Sequence, residues 1–567
     1  GLLDLDCWTY RPKTDKHNNA AERNKKLYKG KFVFKTKSAA NGQVKRRKSR
    51  YVISDPKFLQ KMTDVDCFSP MCRYETVRWL LSVAVERDWD ILSTDIKNAF
   101  PTAKLPEPVW MEIPKFILNE KGDDGNLKHP ELQDCYAFVT GALYGLANSP
   151  RCFNKHLDRW FKDHGYEPLD ADSCLYVKYD EKGAVRAAAA TFVDDALIAG
   201  DTASLNEYRQ MLKNDYTISD NGMPSDFLGM QIERDRQAGT LKLFQSKYIE
   251  KMASRYDVAL PEGKRAPPVP MSYTCKLEPA EAGEERCEST VFRSIVGALQ
   301  FASICCRPDI AQSIKELAKH LIDPSMKHYR AARQVVTYLL LTKNVGLTYT
   351  KHAVQGIHGN WIKAGVVEGF TDASFAECML TRKSTSGYVI MRCGAAISWG
   401  ARSQGKVAYS TSDSELRAMA EATRETLWVR KLENAFSNPT ELTKPAQNGR
   451  PAQWTRAKPA ATKLWEDNKC VIKWVANPCA HSRVKHIDVP LKAIREEIQE
   501  FYNLDVEYID TQRQLADVMT KNLAPAVHWR LVAPIMNMPI PTDLSHLVEK
   551  FIDKFEIADC TYELEGE

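Results

Sequence analysis

Hydrophobic positions in the first half of the chain alternate with polar ones at spacings that predict both strands and amphipathic helices. Residues 75–87 repeat apolar side chains at helical spacing, and residues 89–94 alternate as a half-buried strand does. A second helical stripe near residues 152–164 includes Phe153 and Trp160, which is typical of a helix packed on a core. These patterns predict a mixed α/β unit.

Helical spacing dominates the middle of the chain before strands return. Residues 290–345 are rich in Ala, Leu and Val, and they follow a Pro-rich linker at residues 261–270. An apolar strand at residues 369–374 comes next, and a long helix opens later with Thr411 or Ser412 as its candidate cap. The sequence therefore predicts a second α/β domain after a helical region.

Length and charge narrow the picture further. The chain has 567 residues, enough for several domains, and its hydrophobic content of 44% is ordinary for a globular protein. The net charge is only +6, but twelve Lys or Arg residues and a single acid, Glu22, lie between residues 20 and 50. Phe32 and Phe34 interleave with these cations, as expected of a strand with one apolar face and one phosphate-contacting face. A solvated surface or arm is the alternative for this run.

Cysteine usage and the distribution of apolar residues bear on compartment. The 15 cysteines include no C-x-x-C pair and no zinc-ligand spacing, which favours reduced thiols in a cytosolic or nuclear protein. No signal-peptide pattern and no run of eighteen apolar residues is present, so neither secretion nor a membrane span is expected.

Two acidic stretches about a hundred residues apart carry the candidate chemistry. Asp95 ends the alternating pattern of residues 89–94, and Asp194 and Asp195 sit inside the apolar run of residues 191–198. Buried carboxylates are costly unless a cation compensates them. One acid from each stretch would bridge two Mg²⁺ ions roughly 4 Å apart, the arrangement used for in-line phosphoryl transfer. A lone Asp-Asp pair is more often a solvated turn.

Motif order resolves these alternatives, because the chain resembles the reverse transcriptase and RNase H portion of a copia-type (Pseudoviridae-like) LTR-retrotransposon polyprotein over roughly residues 5–530. The matching segments are Asp95 with Ala99-Phe100, Leu143-Tyr144-Gly145-Leu146 with Ser149-Pro150-Arg151, Phe192-Val193-Asp194-Asp195, Asp226-Phe227-Leu228-Gly229-Met230, Phe292-Arg293-Ser294-Ile295-Val296-Gly297 and Arg307-Pro308-Asp309-Ile310.

This resemblance implies a role for each residue of a polymerase site. Asp95 and Asp194 would hold two Mg²⁺ ions, with Mn²⁺ as a possible substitute, and Asp195 would be a supporting ligand or would shape the site's charge. Phe100 would act as a steric gate against ribonucleotides. The residues assigned to the incoming nucleotide are Lys48, Arg50, Asn148 and Arg151.

Two of these nucleotide-site assignments involve open points. The assignment within the run Lys45, Arg46, Arg47 and Lys48 is open, with surface charge as the alternative for each of them. Asn148 stands where the family usually has Gln, so it keeps an amide but loses one methylene of reach. Neither point removes a metal ligand, so polymerase activity is expected.

The C-terminal third repeats the acidic pattern on another scaffold. Four acids in the family's order, each at the end of a predicted element, resemble the two-metal site of RNase H: Asp372, Glu415, Asp467 and Asp517. Asp413 competes with Glu415 for the helix position. The loop at residues 509–516 contains none of the His residues that many RNases H have there, and His486 is interpreted as structural or as a nucleic-acid contact.

The predicted fold is therefore α/β (α+β): a right-hand polymerase of fingers, palm and thumb/connection, followed by an RNase H-like domain. The expected divisions are 1–240 for fingers and palm, 241–350 for thumb/connection, 351–368 for a linker, 369–530 for the RNase H-like domain and 531–567 for a tail. The tail looks helical and ends acidic.

Partners and function follow from the same resemblance. The expected partners are an RNA template, a DNA primer, RNA–DNA hybrid and dNTPs, with no membrane, in a cytoplasmic virus-like particle or the nucleus. The alternative is a host-adopted scaffold that binds nucleic acid without catalysis. Keeping seven metal-binding acids argues against it, because unpaired carboxylates would be a liability in a scaffold. A polymerase with a silent RNase H site is also open.

Overall fold

A computed structural model describes residues 6–14, 27–38, 44–54, 67–260, 268–356, 359–444, 453–477 and 488–540. His486, the tail after residue 540 and most of the Pro-rich linker lie outside these residues. So do parts of the basic N-terminal run and the side chain of Lys48, although the strand carrying Lys48 is described.

The first half of the chain forms two sheets. Its strands are β1 (Trp8–Pro12), β2 (Leu27–Ser38), β3 (Val44–Ser54), β4 (Asp90–Ile96), β5 (Lys104–Met111), β6 (Cys135–Gly141), β7 (Tyr166–Leu169), β8 (Asp172–Tyr179), β9 (Val185–Phe192), β10 (Asp195–Gly200) and β11 (Ile218–Asp220). Its helices are α1 (Tyr74–Glu86), α2 (Ala99–Thr102), α3 (Lys115–Leu118), α4 (Ser149–Asp163) and α5 (Thr202–Asp215). One sheet has the order β1-β6-β5-β2-β3, and the other has the order β11-β4-β10-β9-β8-β7.

The middle of the chain adds a small sheet covered by helices. Its elements are β12 (Asp226–Phe227), β13 (Met230–Asp235), β14 (Thr240–Phe244), α6 (Ser246–Arg255), α7 (Ser289–Cys306), α8 (Ala311–Ala318), α9 (Met326–Leu341), β15 (Leu347–Thr350), β16 (Val354–Gln355) and β17 (Trp361–Ile362). The order β12-β13-β14-β15 returns the chain to this sheet after the helices, and β16 pairs with β17. By length and composition α7 could cross a membrane, but Phe292, Ile295 and Leu299 bury one of its faces in the core.

The last third forms a mixed sheet with a long helix. Its elements are β18 (Val367–Ser374), β19 (Thr385–Arg392), β20 (Ala395–Ser403), α10 (Thr411–Phe436), β21 (Pro439–Lys444), β22 (Gln453–Arg456), β23 (Thr462–Glu466), α11 (Lys469–Ala476), α12 (Asp488–Gln499), β24 (Leu504–Tyr508), α13 (Asp517–Thr520) and α14 (Pro525–Met536). The order is β20-β19-β18-β23-β24, with the first three strands antiparallel and the last two joined in parallel. This RNase H-like arrangement, together with the polymerase-like first half, confirms the predicted α+β class.

One hydrophobic core runs through all three regions. A single cluster of buried residues extends from Cys72 to Met536. Helix α1 lies at its centre with ten buried residues, and Arg78 on this helix donates to the carbonyl oxygens of Ile397 and Cys305. Arg392 on β19 pairs with Glu86 and Glu433. The two α/β regions are therefore packed together, and the domain bounds drawn from the sequence stay predictions.

Candidate active sites

Three aspartates lie on neighbouring backbone positions where β9 turns into β10 beside β4. Val193 in this two-residue turn has φ +61, a left-handed conformation that closes the hairpin tightly and presents Asp194 at its tip. Strand β10 also pairs with β4, and in this pairing Asp195 lies directly opposite Asp95. The Ile96 amide on β4 donates to the Asp194 carbonyl oxygen at 3.1 Å. Like charges directly opposite each other destabilise a sheet unless a cation separates them.

The backbone register relates the three aspartates to one another and leaves the roles that the resemblance assigns to them as predictions. Asp195, not Asp194, is the direct cross-strand neighbour of Asp95. All three are half-buried rather than enclosed. The register therefore brings the three residues next to one another at the β9–β10 turn and β4, while their division into ligands and a supporting acid stays a prediction.

Tyr144 borders this cluster and was missed as a site residue. Burial raises the pKa of its hydroxyl, and the charge of Asp194 raises it further while Arg50 opposes the shift. The ring of Phe100 lies 4.8 Å from the ring of Tyr144, centroid to centroid, and the Arg50 guanidinium carbon lies 5.5 Å from the Tyr144 centroid. The signal was available, because Tyr144 lies inside the segment that resembles a nucleotide-binding motif.

A glycine lets β3 hold the Tyr144 loop. Gly145 has φ +100, and a Cβ there would lie 2.0 Å from the Ile53 carbonyl oxygen, so no other residue fits without moving the strand. The Ile53 amide donates to the Tyr144 carbonyl oxygen at 2.7 Å. The basic β2–β3 hairpin is thereby fixed beside the aspartates, and Arg50 with it.

The other two described nucleotide-site candidates lie at the start of α4. Arg151 donates from Nη1 to the carbonyl oxygen of Phe68 at 2.9 Å, which ties down the segment before α1. Asn148 precedes α4, where its carbonyl oxygen accepts the Cys152 amide and its side chain makes no capping bond. The structure thus brings Phe100 and Arg50 toward the aspartates, whereas Arg151 is engaged in a backbone contact.

A second acidic cluster forms near the C-terminal ends of β18 and β23, two neighbouring inner strands of the C-terminal sheet. Phe370 on β18 pairs in parallel with Trp465 on β23, so Asp372 and Asp467, each two residues further along, leave the sheet at the same level. Glu415 reaches them from the second turn of α10. Carboxylate oxygens of Asp372, Glu415 and Asp467 all lie within 4.8 Å of one another, a spacing that could hold a metal ion.

The start of α10 decides which of its acids faces this cluster. Ser410 caps the helix by accepting from the Asp413 amide, so the expectation of Thr411 or Ser412 as the cap is wrong by one or two residues. Asp413 accepts from the Tyr409 amide and from Arg417 Nε at 2.7 Å. Because Asp413 is held on that side, Glu415 is the helix acid that points to the ends of β18 and β23.

Asp517 joins the cluster through a lysine. It begins α13, and Lys521 one turn later lies 2.7 Å from Asp517 Oδ1 and 3.4 Å from Asp372 Oδ2, measured from Nζ. The hydroxyl of Thr520 donates to Asp372 as well. All four acids assigned to this site from sequence are therefore brought together, and Lys521 is a member that the sequence interpretation missed.

Glu466 is a further missed member. It ends β23 next to Asp467 and is fully buried, with Oε1 accepting from the Asn468 amide. Its Oε2, like Oε2 of Glu415, is buried and has no hydrogen-bond partner. An acid closing an apolar strand was the signal that could have identified it.

Burial and mutual repulsion control protonation in this cluster. Burial raises the pKa of Asp517 to about 7, with the charge of Asp372 adding to the shift. Burial, then Asp372 and Glu466, raises the pKa of Glu415 well above its ordinary value. Burial also raises the pKa of Asp467. Orphaned carboxylate oxygens at this spacing fit divalent cations, which prefer oxygen ligands.

The sequence is similar to a known protein family and to known transposon proteins. Residues 19–270 match the family described as reverse transcriptase (RNA-dependent DNA polymerase). The Pol polyprotein of transposon TNT 1-94 from Nicotiana tabacum is 28% identical over 91% of this chain and 36% of its own length. That of transposon RE1 from Arabidopsis thaliana is 28% identical over 90% of this chain and 32% of its own length. The chain thus spans about a third of these relatives.

Among solved structures, a foamy viral protease–reverse transcriptase in complex with double-stranded DNA aligns with 85% of this chain and 67% of its own chain. The sequence identity is 11% and the TM-score is 0.41.

Proposed function

The chain belongs to the reverse transcriptase region of copia-type retrotransposon polyproteins, and from that membership we propose that it copies RNA and DNA templates into DNA. We also propose that its C-terminal site cleaves the RNA strand of RNA–DNA hybrids. The observation that carries the first proposal is the register that sets Asp195 opposite Asp95 with Asp194 at the adjoining turn.

In the polymerase site each element has a separate task. The β9–β10 hairpin and β4 would hold the two ions between Asp95, Asp194 and Asp195. Arg50 supplies a planar, permanently charged group suited to pairing with triphosphate oxygens. Phe100, backed by Tyr144, would lie under the sugar of the incoming nucleotide and exclude a 2′-hydroxyl.

In the C-terminal site the protein supplies a compact, buried set of carboxylates. Asp372, Glu415 and Asp467 would hold one ion, and Asp372 with Asp517 would face a second. Divalent ions bound at either site would lower the pKa of the attacking hydroxyl or water and offset phosphate charge. Orphaned Oε2 atoms on Glu415 and Glu466 support this assignment.

The proposed substrates are an RNA or DNA template, a DNA primer and dNTPs for synthesis, and hybrid duplex for cleavage, with Mg²⁺ as the metal and Mn²⁺ as a substitute. We place this activity in a cytoplasmic virus-like particle or the nucleus. An adopted scaffold without catalysis is the competing function, and it predicts hybrid binding without either reaction.

Primer extension on an RNA template with dNTPs and Mg²⁺ tests the polymerase. The unaltered chain should extend the primer, and Asp194→Asn should not, because it removes a carboxylate from the cluster. Asp163→Asn, a change of an exposed acid at the last residue of α4, is a matched control that should extend normally. Hybrid binding without extension by the unaltered chain would favour the scaffold and contradict the proposal.

A further inference from the structure

Lys521 is built into the C-terminal acidic cluster in a way that the proposed chemistry leaves unexplained. Its ammonium bridges two carboxylates from different elements, at 2.7 Å from Asp517 and 3.4 Å from Asp372. The Asp372 and Asp517 side chains are 2% and 10% exposed, whereas that of Lys521 is 36% exposed. A cation thus already sits between two buried acids.

The cluster accordingly has two cation positions that share Asp372. On one side, Asp372 faces Glu415 and Asp467, whose oxygens lie within 4.8 Å of one another. On the other side, Asp372 faces Asp517 with the ammonium of Lys521 between them. We propose that Lys521 is a built-in counter-cation that occupies the second position in the metal-free protein and gives way to a divalent ion. This inference rests on the proposed metal-dependent function of the site.

Close packing of α13 against β19 fixes the position of the Lys521 backbone. Gly387 on β19 pairs with Asp372, and a Cβ on Gly387 would lie 2.5 Å from Thr520 Cγ2 and 2.8 Å from Met519 Cβ. The missing side chain lets α13 lie against the sheet beside Asp372. Thr520 then donates to Asp372 while Lys521, the next residue, spans both acids.

The Lys521 side chain is also suited to moving out of its position between Asp372 and Asp517. Lysine carries a compact charge on a flexible four-carbon stem, and here about a third of that side chain already faces solvent. An incoming divalent ion would repel the ammonium and attract the same two carboxylates. Lysine and the metal therefore compete for one position, and occupancy by one weakens binding of the other.

If Lys521 and the metal compete, removing the ammonium should lower the stability of the metal-free protein and raise its affinity for divalent ions. Removing the ammonium leaves Asp372 and Asp517 facing each other without compensation, so the metal-free protein should melt at a lower temperature. The same change removes the competitor, so divalent ions should bind more tightly, by roughly fivefold or more if the coupling has the usual size. A lysine that only bound substrate phosphate would change neither quantity.

The experiment measures Mn²⁺ binding to the full chain by titration calorimetry, together with thermal melting with and without Mg²⁺. Lys521→Met is the test variant, and Lys521→Gln is a second neutral variant should the first fail to fold. Lys162→Met is the matched control, since Lys162 Nζ lies 2.7 Å from Asp158 at the same i,i+4 spacing on the surface of α4. Lys521→Arg keeps the charge and should leave metal-free stability close to that of the unaltered chain.

The expected result is a lower melting temperature without metal, a larger rise on adding Mg²⁺ and tighter Mn²⁺ binding for the neutral Lys521 variants alone. Unchanged affinity and stability would overturn the inference, as would a raised KM for hybrid with metal binding unaltered. A chain that binds metal as expected but cleaves no hybrid would contradict the proposed RNase H function and leave the counter-cation in place.

Discussion

The two acidic clusters of this chain use the same residue types in opposite environments. Asp95, Asp194 and Asp195 are half-buried at the β9–β10 turn and the adjacent strand β4, whereas Asp372, Glu415 and Glu466 are buried inside the protein. The first cluster is open, so water and incoming substrate can share in compensating its charge. The second must be compensated by the protein itself, by protons or by a cation, and Lys521 supplies part of that compensation.

This contrast teaches that burial, rather than the number of acids, determines how strongly a group of carboxylates depends on a compensating cation. An enclosed cluster raises the pKa of its members and leaves oxygen atoms unpaired, so its resting state is poised for a cation. Four changes would break or sharpen this comparison, beginning with the largest expected effect.

Separate removal of one acid from each cluster should separate the two activities. Asp194→Asn should lower DNA synthesis by more than the roughly 10–100-fold typical of losing an outer partner of a metal ligand, and leave hybrid cleavage unchanged. Asp372→Asn should do the reverse. Both are measured as single-turnover rates on one hybrid substrate, and parallel loss of both activities in either variant would contradict the separation.

Removing the buried ion pairs of Arg392, which connect the first and last regions of the chain, should affect both sites together. Arg392 is 3% exposed and bonded to Glu86 and Glu433, so Arg392→Met leaves two carboxylates without their cation. We expect a loss of roughly 3 kcal/mol in the free energy of unfolding, measured by urea denaturation.

The matched control for that change is Lys463→Met. Lys463 pairs with Glu507 on the surface, where both side chains are about 40% exposed, and such pairs contribute at most about 1 kcal/mol. Equal losses in the free energy of unfolding for the two substitutions would show that the buried ion pairs of Arg392 stabilise the protein no more than a surface pair does.

A single methyl group should disturb the open site alone. Gly145→Ala places a Cβ against the Ile53 carbonyl oxygen at a φ of +100, a strain of roughly 1–3 kcal/mol. Because the strained loop carries Tyr144 beside the aspartates, DNA synthesis should fall while hybrid cleavage stays constant. Gly125→Ala, at φ +77 with open space around it, is the control for the backbone strain alone.

The smallest expected effect is a pH dependence confined to the enclosed site. Burial raises the pKa of Asp517 from 3.8 to about 7 in the folded protein. Its contribution to metal-free stability is thus fully present below pH 3.8 and is lost as the pH rises through about 7. Divalent ions need the ionised form, so the rise in melting temperature caused by Mg²⁺ should be greater at pH 8 than at pH 5.5.

Asp517→Asn should weaken that pH dependence, and Asp194→Asn should leave it intact. A Mg²⁺ effect that is constant or decreases with pH would mean that protons and metal do not compete at Asp517.

Much of the local structure follows from sequence periodicity. The helical stripe at residues 75–87 predicts α1 to within one residue at each end, because apolar side chains at this spacing can share a core only on a helix. The stretch before Asp95 becomes β4, but residues 91–94 are all buried, so the expected half-buried alternation is wrong. The family and the α+β class could also be predicted, since ordered short motifs in one chain seldom arise by chance.

The sequence by itself determined the elements, their order and which acids to examine, because hydrophobic period and motif order are written in neighbouring residues. Tertiary structure decided the rest. It set Asp195 rather than Asp194 opposite Asp95, enclosed Glu466 and brought Lys521 between Asp372 and Asp517. It also joined the regions in one core through α1. These outcomes depend on register, burial and charge between residues distant in the chain, which no local pattern records.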